Sequence, residues 1–194
     1  LMTRGAPGTH DVSLMLDFFK KEKRKKFRSL KQPRFNKAID DRYSKKLWHS
    51  FKKKPDIIIF EGWCVGARYE KSNTLIKPVN DLEKLKDKNL TWRRYVNKQL
   101  QSRYKHLYDQ LNCLIYIKSK NFNLLQKWRI KQEKKLRLKN KRSNKFKIMS
   151  DKEVINFMQT YQRVTQNMFK YVPKYASLLL TLTSNHPITS VIYN

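Results

Sequence analysis

The segment Lys54-Pro55-Asp56-Ile57-Ile58-Ile59-Phe60-Glu61-Gly62-Trp63 constrains the fold more than any other stretch of the chain. A charged, proline-marked lead-in runs into four consecutive apolar residues, three of them β-branched, and stops at an acid and a glycine. Such a run predicts a short strand of a parallel sheet, buried on both faces. Ligands of open α/β sheets sit in the crevice beyond the carboxyl ends of the strands. Glu61 therefore stands where a carboxylate can hold a metal ion or a water beside a phosphate, and Gly62 where backbone can approach a ligand closely. The plainer reading is a strand that ends in a surface turn.

The rest of the chain alternates around that segment. Residues 1–11, LMTRGAPGTHD, form a Gly/Pro turn in which Thr9 or Asp11 can cap a helix striped by Val12, Met15, Leu16 and Phe19. Arg4, His10 and Asp11, grouped at that helix start, can bind an anionic or hydroxylated small molecule, although capping alone accounts for Thr9 or Asp11. Residues 33–42, PRFNKAIDDR, predict a loop that turns Arg34, Lys37, Asp40, Asp41 and Arg42 into a pocket, and residues 44–53 a short helix. A long helix follows, N-capped by Thr91, with Trp92, Tyr95, Val96, Leu100, Tyr104, Leu107 and Leu111 recurring at three and four. Residues 113–117 read as a second strand.

From Asn121 a helix becomes overwhelmingly basic; within it Arg129, Gln132 and Glu133 share one face. Ser150 and Glu153 spell a capping box, opening a helix that carries Val154, Phe157, Tyr161, Val164 and Met168. Residues 176–182 and 188–193 complete the strands. Strand and helix alternation implies an α/β fold, a parallel sheet with helices on both faces, in one domain over residues 1–194.

Charge sets the partner classes. Forty-five Lys and Arg against 15 Asp and Glu give a formal net charge of +30. That excess supports either polyanion binding or a lysine-rich surface around a site for an anionic ligand. No zinc finger, glycine-aromatic RNA-binding pattern or recognition helix is present, so salt-sensitive, nonspecific sticking to nucleic acid is expected and specific readout is not. No stretch approaches the ~20 apolar residues of a membrane span. Cys64 and Cys113 make neither a disulfide framework nor a metal cluster, and suit a reducing cytoplasm.

Taken in order and spacing, RGAPGTHD, PRFNKAIDDR, PDIIIFEGWCVGA, PVNDLE, TWRRYVNKQL, WRIKQEKKL and the MSDKEV–YQRVT helix resemble the D-glycerate 3-kinase family. These are P-loop small-molecule kinases similar to pantothenate kinase, uridine kinase and phosphoribulokinase. The resemblance spans about residues 3–190, and RGAPGTHD and FEGWCVGA are its most diagnostic pieces. It implies a P-loop kinase-like fold using ATP and Mg²⁺, with Glu61 as the acid that helps hold the metal or its waters. Arg4, His10, Asp11, Arg34, Lys37, Asp40, Asp41 and Arg42 would wall the acceptor, a small anionic substrate such as D-glycerate. Residues about 125–148 would form a basic lid, from which Arg129, with Gln132 and Glu133, reaches the transferred phosphoryl.

The chain also departs from that family. A P-loop kinase cradles phosphates with G-x-x-x-x-G-K-[ST]. The four glycines here, Gly5, Gly8, Gly62 and Gly66, are none of them followed by Lys. In the family this loop and the catalytic base both precede the RGAPGTHD turn, so the chain reads as roughly the C-terminal two-thirds of a kinase. Asn36 stands where the family has Asp, and Gln162 where it usually has Glu. The resemblance thus implies a chain inactive alone, with free strand edges that dock an upstream piece of the same kinase. The alternative is a non-catalytic protein of the same fold that binds an anionic metabolite or nucleic acid.

Overall fold

The computed structural model describes residues 5–24, 27, 29–36, 39, 41–139 and 149–194. Asp11 caps α1 (Val12–Glu22), its Oδ1 accepting the Leu14 N–H at 3.0 Å, and the helix buries Val12 and Phe19. Short strands follow: β1 (Leu30–Gln32), β2 (Phe35–Asn36), β3 (Asp41–Arg42) and β4 (His49–Phe51). β2 and β3 pair antiparallel, Phe35 opposite Arg42 and Asn36 opposite Asp41, so PRFNKAIDDR includes a small hairpin rather than a plain loop. The helix expected over residues 44–53 is instead a 3-10 turn, Lys45–Leu47, and then β4, which pairs with β1 from Leu30↔Phe51 to Gln32↔His49. A partner strand decides the conformation there, overriding a local spacing that also fits a helix.

Asn80 caps α2 (Asp81–Lys86), its side chain accepting the Glu83 N–H. α3 (Thr91–Gln99), a π turn over Leu100–Tyr104 and α4 (Lys105–Tyr108) then follow without a break. Thr91 is not the cap. Leu90 occupies that position with φ 64°, and the Asp87 carboxylate accepts from Trp92 N (2.9 Å) and Arg93 N (3.2 Å). The π turn has a cause in the sequence: Val96, Leu100 and Tyr104 step by four, ahead of a 3.6-residue period, and widening the helix keeps Leu100 and Tyr104 on the buried face.

The second half holds β5 (Ile115–Ser119), α5 (Phe122–Lys139), α6 (Asp151–Tyr171), β6 (Leu178–Leu182) and β7 (Ile188–Tyr193). The Ser150–Glu153 capping box forms as read, with Ser150 N donating to Glu153 Oε2 and Glu153 N to Ser150 Oγ. β5 and β6 are parallel, Tyr116 opposite Leu179, and β7 runs antiparallel to β6. One cluster joins α1, the π turn, α6 and the sheet through Val12, Phe19, Leu100, Tyr104, Tyr116, Val164, Met168 and Leu179.

The chain is therefore α/β, but its sheet is not the fully covered parallel sheet expected. Residues 56–60 form no strand ladder, and no backbone hydrogen bond reaches them among the described residues. Their burial alternates: Ile58 and Phe60 pack against the core, while Ile57 and Ile59 are 80% and 88% exposed. A buried parallel strand needs neighbours on its edges and cover on both faces; this segment has the cover of one face only.

Charge is also buried. Arg93, 6% exposed, donates Nε to Asp87 Oδ2 (3.0 Å), Nη2 to Asp87 O (2.6 Å) and Nη1 to Leu75 O (2.9 Å). Arg163 reaches the buried Glu83 from α6, at 2.7 and 2.8 Å, and Glu83 lies 3.6 Å from Arg93. This network ties α2, α3 and α6 together through charge.

Candidate functional site

The Gly5–His10 turn is the best-organised polar feature outside that network. Gly5 and Gly8 have φ of 123° and 99°, the region that favours glycine. Thr9 closes the turn, its hydroxyl accepting from Gly5 N (2.9 Å) and donating to Ala6 O (2.7 Å). Three aromatic side chains then grip its backbone. Tyr95 OH donates to Gly8 O, Tyr104 OH accepts from Gly8 N, and Trp63 Nε1 donates to Gly5 O, each at 2.9 Å. A Cβ at Gly8 would lie 2.4 Å from Tyr95, and one at Gly5 would lie 2.6 Å from Tyr161. Trp63 also meets Tyr161 edge-on, with ring centroids 4.8 Å apart, so the EGW segment and the glycine turn are fastened to each other.

On this frame sit His10, Asp11 and Arg42. His10 Nδ1 lies 2.7 Å from Tyr104 OH. The hydroxyl accepts from Gly8 N and keeps both its proton and a second lone pair, so it can serve either tautomer of the imidazole. Asp11 uses one oxygen to cap α1 and the other to pair with Arg42 Nη1 at 2.9 Å. The β2–β3 hairpin thus carries Arg42 to the turn, giving a cation and a carboxylate beside an imidazole, all accessible to solvent.

Other expected site residues fall elsewhere. Arg34 donates to Leu47 O (3.1 Å) and its guanidinium lies 4.8 Å from the Tyr43 ring centroid, holding its own hairpin. Asp41 is exposed and accepts from the Arg42 N–H. Arg4, Lys37 and Asp40 lie outside the described residues. Glu61 is exposed beyond residues 56–60 and has no ion-pair or hydrogen-bond partner among the described residues. On α5, Arg129 pairs with the buried Glu133 (2.5 Å) and donates to Gln132 (2.7 Å), as their spacing implied. Among the described residues no hydrogen bond or ion pair links that trio to Asp11 and Arg42. Residues 140–148 of the basic segment lie outside the described residues. Gln162 accepts from Asn80 Nδ2 at 3.1 Å, a contact that locks α2 against α6.

Among the described residues no three His, Cys, Asp or Glu side chains gather as a metal site. Glu61 is a single free carboxylate, which fits Mg²⁺ that keeps waters and phosphate oxygens as its remaining ligands. No G-x-x-x-x-G-K-[ST] pattern occurs in the sequence. Among the described residues no helix is long and apolar enough to cross a membrane.

The tyrosines under the turn were not singled out by sequence reasoning beyond their place in an apolar stripe. What distinguishes them is a hydroxyl at a core position, which needs a buried partner. Burial pushes the Tyr104 hydroxyl up to about 12, and burial raises Tyr108, Tyr116 and Tyr175 as well. Folding therefore favours their protonated forms; this contribution is constant below the ordinary value near 10 and is lost as pH rises from 10 through 12. Tyrosinate absorbance is expected to grow in two stages, the later one coinciding with alkaline unfolding. A single stage centred near 10, with the fold intact, is the contrary result.

No family model matches the chain. It is 27% identical over 191 residues to the chloroplastic D-glycerate 3-kinase of Arabidopsis thaliana, covering 95% of the chain and 36% of that protein. The chain thus spans about a third of the length of this curated relative. Its fold matches the D-glycerate 3-kinase from Cryptococcus neoformans with a TM-score of 0.78 and 20% identity, over 98% of this chain and 69% of that one. It matches the YGR205w protein with a TM-score of 0.73 and 25% identity, over 97% of this chain and 66% of that one.

Proposed function

We propose, from its similarity in sequence and fold to D-glycerate 3-kinases, that this chain is part of an ATP-dependent small-molecule kinase. The reaction is transfer of the ATP γ-phosphate to a hydroxyl of a small acid such as D-glycerate, within a P-loop kinase-like fold. The observation that carries the reading is the Asp11–Arg42 pair set beside His10 on the glycine turn. A guanidinium offers a carboxylate acceptor two parallel N–H donors; Asp11 would accept a hydrogen bond from a substrate hydroxyl, and His10 would accept or donate one. Arg4, Lys37 and Asp40 complete the acceptor wall in this reading, with Arg34 and Asp41 shaping the hairpin that carries Arg42.

Glu61 would steady Mg²⁺ through one carboxylate or through its waters. Arg129 would leave Glu133 for the phosphoryl group, where a cation stabilises charge that develops in transfer. ATP would supply the phosphoryl, and its cradle must come from residues other than these 194. Alone, the chain is expected to bind D-glycerate without turning it over.

Titration with D-glycerate and with MgATP, at low and moderate salt, tests this. Saturable D-glycerate binding is expected, falling about tenfold or more in Arg42→Met, because a hydrogen-bonded charged partner contributes ~1.5–3 kcal/mol. Asp11 keeps its capping bond in that variant, so α1 should be unaffected. Binding of polyanions alone, collapsing with added salt, would favour the second reading that the net charge of +30 supports, a non-catalytic basic protein.

A further inference from the structure

We propose that Arg68, at the amino end of the sheet, holds a small monocarboxylate with an apolar body in the cavity it lines. Leu114 and Ser177 stand on the wall of that cavity, each immediately ahead of one of the parallel strands β5 and β6. Open α/β sheets keep their main site beyond the carboxyl ends of the strands, so this is a second place, apart from His10, Asp11 and Arg42. Nothing in it depends on the reaction proposed above.

The arginine is held in place and left without a carboxylate. Its guanidinium carbon lies 3.6 Å from the centroid of the Tyr175 ring, close enough that the two planes must stack. Tyr175 is tethered in turn, its hydroxyl donating to Gly66 O at 2.7 Å. Gly66 has φ of 82°, and a Cβ there would lie 2.8 Å from Leu114, so the turn that leads to Arg68 is itself fixed. Yet no hydrogen bond or ion pair engages the Arg68 guanidinium among the described residues. A guanidinium stacked by its face keeps its N–H fork along the edge, the geometry that matches a carboxylate.

Charge on the walls selects a monoanion. Lys105 reaches Asp109 at 2.7 Å, so those two offset each other and Arg68 remains the uncompensated cation among the lining residues. A doubly charged group would bring a second charge with nothing to meet it. Two neutral groups on the same wall can donate to a carboxylate. Ser177 Oγ accepts from Leu114 N at 3.1 Å and keeps its own proton, and the Asn112 side chain has no hydrogen-bond partner among the described residues.

The remaining lining sets the body of the ligand. Leu100 is buried, and Leu111 and Leu114 are half-buried, around a cavity of about 490 Å³. That volume falls within the range of small-molecule sites, which pair apolar walls with a few placed polar groups. Leucine surface gains nothing from a bare inorganic anion, but it is removed from water by a ring or a branched chain. The net charge of +30 attracts anions of every kind to the chain; selection at this cavity therefore rests on the stacked fork and on the leucines together.

Calorimetric titration of the 194-residue chain with benzoate tests this, and saturable one-to-one binding is expected. Arg68→Met should weaken it by about tenfold or more, with Arg68→Lys between the two, since lysine keeps the charge and loses the fork. Arg68 is exposed, so both variants should keep the circular dichroism of the parent. Acetate has the carboxylate without the body, and inorganic phosphate has neither fork geometry nor body; each should bind about tenfold or more weakly than benzoate. D-glycerate binding should be unchanged in Arg68→Met. Benzoate binding by a chain that takes up no D-glycerate would leave this site standing while the kinase reading fell. The proposal is overturned if benzoate does not saturate, or if Arg68→Met binds it as tightly as the parent. It is equally overturned if acetate or phosphate binds as well as benzoate, or if Arg68→Met weakens D-glycerate binding in parallel, which would merge the two sites.

Discussion

Replacing Arg93 with methionine is expected to lower the unfolding free energy by about 3–5 kcal/mol, the usual cost of removing one partner from a buried ion pair. Methionine preserves most of the apolar stem, so the change isolates the guanidinium. Asp87 loses its one charged partner among the described residues and remains buried, while Glu83 keeps Arg163. The carbonyls of Leu75 and Asp87 lose donors as well. Asp87 meanwhile caps α3 through Trp92 and Arg93 N–H, so a disturbed carboxylate loosens the start of the helix that carries Tyr95 and Tyr104. Domains hold only ~5–15 kcal/mol in total, so this variant should sit near its unfolding threshold. Urea denaturation would show a lower midpoint with an unchanged slope. Arg93→Lys should fall between, keeping charge but losing the fork. The Arg93→Met, Asp87→Asn double variant should cost less than the sum of the singles. A loss under ~1 kcal/mol would mean that water reaches the carboxylates and the network is not dry.

What could be read from sequence was what is local. The Asp11 cap, the Ser150–Glu153 box, the Leu100–Tyr104–Leu107 part of the apolar stripe and the Arg129–Glu133 pair each depend on residues within four positions, and each is present, whereas Tyr95 of that stripe is exposed. Residues 44–53 failed because Leu47, Trp48 and Phe51 fit a helix equally well until β1 offers backbone partners. Residues 56–60 failed for a complementary reason. Their composition announces a strand buried on both faces, but pairing is set by distant chain, and no neighbour meets them here. Thr91 lost its cap role to Asp87, which lies four residues earlier and reaches back over the helix start. Within the site, Asp11 and Arg42 come together through a hairpin that no local pattern predicts, and Arg34, equally basic, is spent on Leu47 O. Tyr104 was legible as core and illegible as a polar anchor, since periodicity reports burial and says nothing of where a hydroxyl points.

Tyr104→Phe tests that anchor. Phenylalanine keeps the ring, which packs edge-on to Tyr108 at 5.9 Å and faces His10 at 6.0 Å, and deletes the oxygen between Gly8 N and His10 Nδ1. Gly8 N–H is then left without its partner in a part-buried place, at a cost of ~1–3 kcal/mol. Gly8 O still has Tyr95, so the turn should loosen rather than unfold. His10 loses the bond from its Nδ1 to Tyr104 OH, and D-glycerate affinity should fall by about tenfold, equivalent to ~1.4 kcal/mol. Tyr104 acts through His10 and Gly8 and is a positioning residue, so two further readouts separate its roles. The late stage of tyrosinate titration should shrink, because a hydroxyl raised to about 12 has been removed. The affinity loss should persist at temperatures where the variant is fully folded. A variant that loses stability but binds D-glycerate as tightly as the parent would leave the tyrosine a prop for the turn, and would move the acceptor away from His10.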